Sequence, residues 1–339
     1  MATLRSDVIV PEVFTAYVDE AVTTRSAFIN SGVIQPLAIL NATEGGDYVN
    51  VPSWTANLTG DAEVLSDTSS LTPGKIGAEK QVCPVLHRGR AWEVRTLASL
   101  AAGSDPMAAI GRKVADYISH QQQKDVFAIL KGIFGPLTSN TTGALKDLAI
   151  DSNATAGVLS PGKVAEARAA LGDQGEKLSV IAMHSKVYYD LVERRAIEYV
   201  TAGEARQTAD SSMPDAFAGN LANAYGDVTV PTYMGLRVIV SDDVNNNGTE
   251  YASYLFTPGA MASGTQSGLV TETDRDILAL SDAMSVHWHN LYHPLGMSYK
   301  AATGGVNPTK ATLETVTNWE QVYETKNLGI VSIVSNPNF

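Results

Sequence analysis

Residues 41–95, NATEGGDYVNVPSWTANLTGDAEVLSDTSSLTPGKIGAEKQVCPVLHRGRAWEVR, decide the fold. The runs 47–54 and 81–95 read as extended strands, and they flank a polar middle, 57–80, rich in Gly, Ser and Thr. The whole stretch holds too few large apolar residues to build a core of its own, and too much strand pattern to be a linker. A structureless loop of this length is rare inside a compact domain. The reading is a long β-hairpin arm that projects from the body. A lone two-stranded ribbon is marginal in water, so the arm needs partners on another subunit, which makes this an assembly protein. Its outgoing half carries Asp61, Glu63 and Asp67, and its returning half Lys75, Lys80, Arg88 and Arg90, with Glu79 the exception. With the apolar Trp54, these are the expected inter-subunit contacts. The charges pair within the hairpin, stay solvated or meet a neighbour.

Directly after the arm comes the longest helical pattern of the chain, 105–134. Asp105 is placed to cap it, Pro106 sits in its first turn, and Gly135-Pro136 closes it. Met107, Ile110, Val114, Tyr117/Ile118, Val126, Ile129/Leu130 and Ile133 keep one face apolar. A shorter amphipathic helix is expected over 11–25, followed by an extended connector over 33–40. Beyond the long helix, the pattern gives a helix over 160–172, a buried strand over 178–183, and a helix to Arg195 capped by Ser185. A loop of weak structure is expected over 201–226. Strands are expected over 236–241 and 251–256, joined by an Asn247-Gly248 hairpin turn. Further strands fall at 269–273, 284–292 and 330–335.

Composition narrows the function. The formal charge of −12 argues against a dedicated nucleic-acid grip, which needs clustered Lys and Arg, although it is compatible with a container that encloses nucleic acid. No apolar run is long enough to span a bilayer, and the opening residues lack the basic-then-apolar design of a secretory signal. The single cysteine, Cys83, allows no intrachain disulfide and suits a reducing cytoplasm.

Candidate chemistry is thin. Asp243-Val-Asn245-Asn-Asn247-Gly248 starts like a calcium loop, but its twelfth position is Tyr254 instead of a bidentate Glu. His287, His289 and His293 form an H-x-H-x-x-x-H set that suits a metal only if a carboxylate completes it, and none lies nearby. His184-Ser185 invites a nucleophile reading, but a helix cap explains the serine more simply. The glycines match no phosphate-binding loop. No catalytic residue, metal site or cofactor is expected.

The stretches Gly45-Gly-Asp-Tyr-Val-Asn-Val-Pro-Ser-Trp54, Asp61-Ala-Glu-Val-Leu65 and Leu71-Thr-Pro-Gly-Lys-Ile76 resemble the arm region of tailed-bacteriophage major capsid (coat) proteins. The resemblance continues through Arg90-Ala-Trp92, the Asp105-Pro106 helix start, Gly132-Ile-Phe-Gly135, Asn318-Trp319 and Lys326-Asn-Leu-Gly-Ile-Val-Ser-Ile-Val-Ser-Asn336. It implies an α+β chain of the Hong Kong 97-type capsid fold. Residues 1–42 would be the N-terminal arm and 43–95 the extended loop, a β-hairpin. Residues 96–159 would be the peripheral domain with its spine helix, and 160–227 the axial domain. Residues 228–312, including 236–241 and 251–256, would be peripheral-domain strands and the return to the axial domain, with 313–339 its C-terminal segment.

The implied function is a structural, non-enzymatic shell protein that self-assembles through hexamers and pentamers into an icosahedral head. That shell encloses double-stranded DNA without sequence specificity, and the protein resides in the virion after assembly in the bacterial host cytoplasm. No membrane is involved. The implied partners are a portal protein and a decoration or cement protein. Some relatives carry a long scaffold segment before the arm; here the arm helix starts almost at once, so a separate scaffolding protein is expected. Lys75 and Lys80 lie in the loop where some relatives form isopeptide cross-links, but no partner residues match and no cross-link is expected. The nearest rival is an encapsulin-type nanocompartment shell. A remote one is a metal-dependent cupin-like enzyme using His287, His289 and His293.

Overall fold

The computed structural model describes residues 28–29, 31–41, 45–54, 62–63, 71, 76–102, 106–137, 143–151, 157–201 and 229–337. The expected helix over 11–25, the cap Asp105, the loop over 202–226 and most of the arm's polar middle lie outside them.

Two sheets and one long helix organise the chain. A short strand β1 (Ile34–Pro36) is followed by the arm strands β2 (Tyr48–Trp54) and β3 (Ala78–Pro84), then β4 (Leu86–Arg95), helix α1 (Thr96–Ala102) and helix α2 (Pro106–Phe134). Next come β5 (Ala149–Asp151), α3 (Pro161–Ala170), β6 (Val180–Met183), α4 (Ser185–Glu193), β7 (Glu198–Thr201), β8 (Thr229–Tyr233), β9 (Leu236–Val240) and β10 (Tyr251–Phe256). The long pair β11 (Met261–Asp276) and β12 (Ser281–Pro294) is followed by β13 (Met297–Tyr299), α5 (Ala301–Gly304), α6 (Lys310–Leu313), β14 (Trp319–Gln321) and β15 (Ile330–Ser335).

The four-stranded sheet runs β1-β11-β12-β4, and the seven-stranded sheet β5-β15-β10-β6-β9-β8-β7. In the latter, β10 and β15 are buried at every position. That accounts for their continuous apolar runs: a strand covered on both faces has no polar side to show.

Helix α2 joins the two sheets. Over its N-terminal half only one stripe is buried: Val114 and Ile118 pack with Met107, Ile110 and Tyr117 against Trp92, Met284, Val286 and Trp288 of the four-stranded sheet. From Val126 to Phe134 burial closes around nearly the whole circumference, and those residues belong to the main core with Tyr254, Phe256 and Ile333. At 29 residues the helix is about 44 Å long at 1.5 Å per residue. It ends where Gly135 takes φ +86° and its N–H returns to the Lys131 carbonyl at 2.9 Å, the left-handed stop that favours glycine.

Several expectations are corrected. The returning run 81–95 is not one arm strand. It breaks at Pro84-Val85: β3 pairs with β2, whereas β4 pairs with β12. Strands β9 and β10 are not a hairpin, because β6 lies between them and bonds to both. The Asn247-Gly248 turn is only local, with Gly248 at φ +89° and an isolated bridge from Asn246 to Tyr251. Strands β9 and β10, expected as peripheral-domain strands, share the seven-stranded sheet with β6 and β15. The runs expected at 269–273 and 284–292 are parts of a single long hairpin, β11–β12. The cap of α4 is His184, whose Nδ1 accepts the Lys186 N–H at 3.1 Å, and not Ser185.

Two glycines of α2 make opposite demands. A Cβ on Gly132 would overlap the Leu313 carbonyl oxygen and come within 2.6 Å of Trp319 Nε1, whereas one on Gly111 would meet nothing within 4 Å. Helix propensity favours Ala over Gly by about 1 kcal/mol at either site, but overpacking against backbone costs about 1–3 kcal/mol or more. Gly111→Ala is expected to raise the thermal midpoint and Gly132→Ala to lower it. Equal shifts in the two melts would contradict this packing.

Candidate assembly interface

The arm is a paired ribbon with two unlike faces. Its register runs from Tyr48 opposite Pro84 to Trp54 opposite Ala78. Alternation sends Val49, Val51, Gln81 and Cys83 to one face, and Asn50, Pro52, Trp54, Ala78 and Lys80 to the other. The first set meets the body: Val51 and Cys83 are buried with Leu40, Val85, Ala262 and Leu291. The second set is exposed, with Trp54 at 68%.

A buried polar pin fixes the base of the ribbon. The Gln81 side-chain oxygen accepts the Gly296 N–H at 3.0 Å and lies 2.8 Å from His293 Nε2, which therefore acts as the donor. The Val82 N–H donates to Ser298 Oγ at 3.1 Å. Burial lowers the pKa of His293 to about 4, so its ring is neutral at ordinary pH.

Of the sequence-expected contacts, Trp54 and Lys80 share the outward face of the ribbon. Glu63 is exposed, and Asp61, Asp67 and Lys75 lie outside the described residues. Arg90 is exposed on β4. Arg88 is committed within its own subunit. Its Nε is 3.3 Å from the Asp125 carboxylate of α2, Nη1 donates to Asn307 Oδ1 at 3.2 Å, and Nη2 donates to the Pro308 carbonyl at 2.8 Å. Burial raises the Asp125 pKa, which Arg88 and Lys310 oppose. Arg88 thus ties β4, the middle of α2 and the 307–308 turn together. Beside it, Asp243 receives His120 Nε2 at 2.9 Å and Gln123 Nε2 at 2.8 Å. The polar patch in mid-helix is therefore a clamp on the β9–β10 connection.

The other candidate sites dissolve in this geometry. Asp243 is spent on α2, and Asn247 Oδ1 accepts the N–H groups of Thr249 and Glu250, so the calcium-loop oxygens serve a turn. His287 and His289 have ring centroids 6.1 Å apart, but His293 lies four residues on, about 13 Å along the strand, under the arm. Among the described residues no group of three or more His, Cys, Asp or Glu side chains is placed to hold a metal ion. His184 Nδ1, 3.4 Å from Ser185 Oγ, is the helix cap.

Sequence reasoning missed Gln81, Asp125 and the β11–β12 hairpin. Gln123 and Asp125 did carry a signal, as polar residues interrupting the buried stretch of a helix. The outer half of β11, exposed from Gly268 to Asp276, was legible only as the short strand at 269–273, and its inner half was not read.

Comparison with known proteins bears on the whole chain. The family model described as major capsid protein 13-like matches residues 12–329. The major capsid protein of Bacillus phage SPP1 is 37% identical, over 96% of each chain. Among solved structures, the capsid of Ralstonia phage GP4 superposes with a TM-score of 0.63 at 11% identity, covering 97% of this chain and 96% of its own. The SrpI encapsulin of Synechococcus elongatus reaches 0.54 at 9% identity, covering 96% and 93%. Likenesses this low in identity concern the fold alone. The family model and the SPP1 relative separate phage capsid from encapsulin.

Two measurements test the pins. Arg88→Ala leaves Asp125 buried without its ion partner, and a broken buried pair costs about 3–5 kcal/mol. Arg90→Glu, on the surface, should stay within about 0.5 kcal/mol of the parent. Chemical denaturation of both resolves them, and equal stabilities would refute the Arg88 tie. For His293, the folded pKa near 4 lies below the unfolded value of 6.5. Between these pH values only the unfolded chain gains the proton, so this contribution to stability is complete above pH 6.5 and falls away toward pH 4, by on the order of 3 kcal/mol. His293→Gln, which keeps a donor for Gln81, should flatten that acid limb of the melting profile; an unchanged limb would assign it elsewhere.

Proposed function

The chain belongs to the major capsid protein 13-like family, and from that premise we propose how its parts divide the work of building a tailed-phage head. The fold is the α+β Hong Kong 97-type capsid fold, and the protein is a structural component of the virion shell, assembled from copies of itself. The proposal begins with the domains. The four-stranded sheet with the N-terminal half of α2 forms the peripheral domain, and the seven-stranded sheet forms the axial domain around which hexamers and pentamers close. Identical subunits joined head to tail around an axis make rings, and rings that share edges close a shell.

The observation that carries the rest is the two-faced arm. One face is buried on its own subunit, while the other offers Trp54 and Lys80 to solvent. A two-stranded ribbon with one open face gains a second packing partner only from a neighbour. Each exposed charge contact there is worth only about 0.2–1 kcal/mol, but a shell repeats it on every subunit. Asp61, Glu63, Asp67, Lys75 and Arg90 belong to the same contact set in this reading. Arg88 leaves it, because its guanidinium is used inside the subunit.

The packaged double-stranded DNA is held by confinement. A net charge of −12 gives the subunit no overall attraction for phosphate, and an acidic wall can line a DNA container when counterions balance the phosphates. A scaffolding protein, a portal and a decoration protein complete the proposed partners. The scaffold guides curvature, the portal admits DNA, and the decoration protein seals the outside. Nothing in this role calls for catalysis.

Electron microscopy of the chain co-expressed with its phage's scaffolding protein should show closed particles. The pair Trp54→Ser and Lys80→Glu should abolish them while leaving the melt of the free subunit unchanged. Purified subunits should retain duplex DNA on filters only weakly and without sequence preference at physiological salt. Normal particles from the double variant would remove the arm from the mechanism, and tight sequence-dependent retention would remove confinement.

A further inference from the structure

Exposed apolar side chains cluster at the tip of the β11–β12 hairpin. Ile277 is 77% exposed, Leu278 97% and Leu280 59%, and on the adjoining α1 Leu97 and Leu100 are 60% and 75% exposed. This tip is shaped. Asp276 Oδ1 accepts the N–H groups of Leu278 at 2.8 Å and Ala279 at 3.0 Å. The Leu280 carbonyl accepts both the N–H and the Oγ1 hydroxyl of Thr96 at 2.9 Å, which locks the start of α1 against the turn. Leu280 itself has φ +49°, a left-handed conformation that glycine or asparagine adopts with less strain. A bulky apolar residue at such a position, beside a leucine standing almost fully in water, points to a contact surface.

A receptor of matching character lies on the same molecule. Between Trp92 of β4 and Ala109, Ile110, Lys113, Val114 and Tyr117 of α2 runs a groove of about 330 Å³. Trp92 and Tyr117 meet edge to face in it, with centroids 5.3 Å apart. Its surroundings carry a basic excess, with Arg90, Arg112 and Lys113 exposed and Asp116 and Glu93 beside them. The neck of the hairpin is acidic, with Asp274, Asp276 and Asp282 against a single Arg275 that is already 3.3 Å from Asp282. Knob and groove are thus complementary in both apolar character and charge. They cannot meet within one subunit. The hairpin is paired without a break from Val270/His287 to Asp276/Ser281, and Trp92 lies across from Met284 on the same sheet, so the tip cannot fold back onto its own groove.

We propose that the Ile277–Leu280 tip of one subunit seats in the groove between β4 and the N-terminal half of α2 of a neighbouring copy in the shell. The occupant is a second copy of this chain because the chain assembles with itself and carries both halves of the match. The inference rests on the shell-forming role and adds to it a specific contact, separate from the arm.

Disulfide trapping tests it in the full chain. Cys83 is the only native cysteine; it is buried, with its thiol pKa raised by that burial, so introduced thiols report alone. Particles of Leu278→Cys/Ala109→Cys, assembled under reducing conditions with scaffold and then oxidised, should give a ladder of linked subunits on a denaturing gel. Neither single variant should do so. Dimers from Leu278→Cys alone would mean that tips meet each other, and linkage to scaffold or decoration protein would assign the tip to that partner; either result overturns the proposal. Intact particles without a ladder also overturn it. Failure of the unmodified chain to form particles would instead strike the shell role itself. As a second measure, Leu278→Asp should reduce particle yield at least tenfold with an unchanged subunit melt. Parental yield would refute the proposal even if the cysteine pair assembled poorly.

Discussion

The structure depends on the way α2 is buried. One continuous helix presents a narrow apolar stripe to the four-stranded sheet and then, from Val126 onward, becomes the centre of the main core. Because its interior carries no proline, it transmits position stiffly from one sheet to the other. The two sheets are therefore set against each other by a shared rod rather than by a flexible link. The close passage of Leu313 and Trp319 over Gly132 fixes the C-terminal segment to the same rod. The mid-helix clamp onto Asp243 and the Arg88–Asp125 pair fix its rotation.

Buried polar groups here do a different job from the apolar core. They exclude alternatives, because a misplaced partner leaves a further charge or amide unpaired in a dry site. Gln81 illustrates this. A two-stranded ribbon slipped by one residue would exchange its faces, and would withdraw that amide from His293 and Gly296. The arm's register is thus specified at its root, and its outward face is settled before any neighbour arrives.

Much of this was legible in sequence where a local rule and the tertiary environment agree. Pro106 and Gly135 bracket a strong helical period, and the apolar runs of β10 and β15 reflect burial on both faces. The first arm strand, 48–54, matches the extended run expected at 47–54. Strand order was not legible. The Asn247-Gly248 signal describes a turn, yet it cannot reveal that β6 inserts between the strands the turn appears to join. Nor does a charged strand announce which face each residue takes. Arg88 and Arg90 read alike, but the position of Asp125 on α2 captures Arg88. The outer half of β11 is solvated along its length, so it read only as a short separate strand at 269–273, and the apolar tip beyond it had no recognisable frame.

The place of β15 has a consequence for the order of events in a synthesising cell. This strand lies inside the seven-stranded sheet, between β5 and β10, buried at all six positions, yet it follows every other element of that sheet in the chain. The sheet's interior therefore cannot close on the growing polypeptide until its last strand has emerged, and contacts so distant in sequence form late. A chain broken off before residue 330 exposes the flanks of β5 and β10 and lacks the wall against which α2 packs. The topology thus acts as an inspection step: only a chain read through to its final strand acquires the rigid body that a shell lattice accepts.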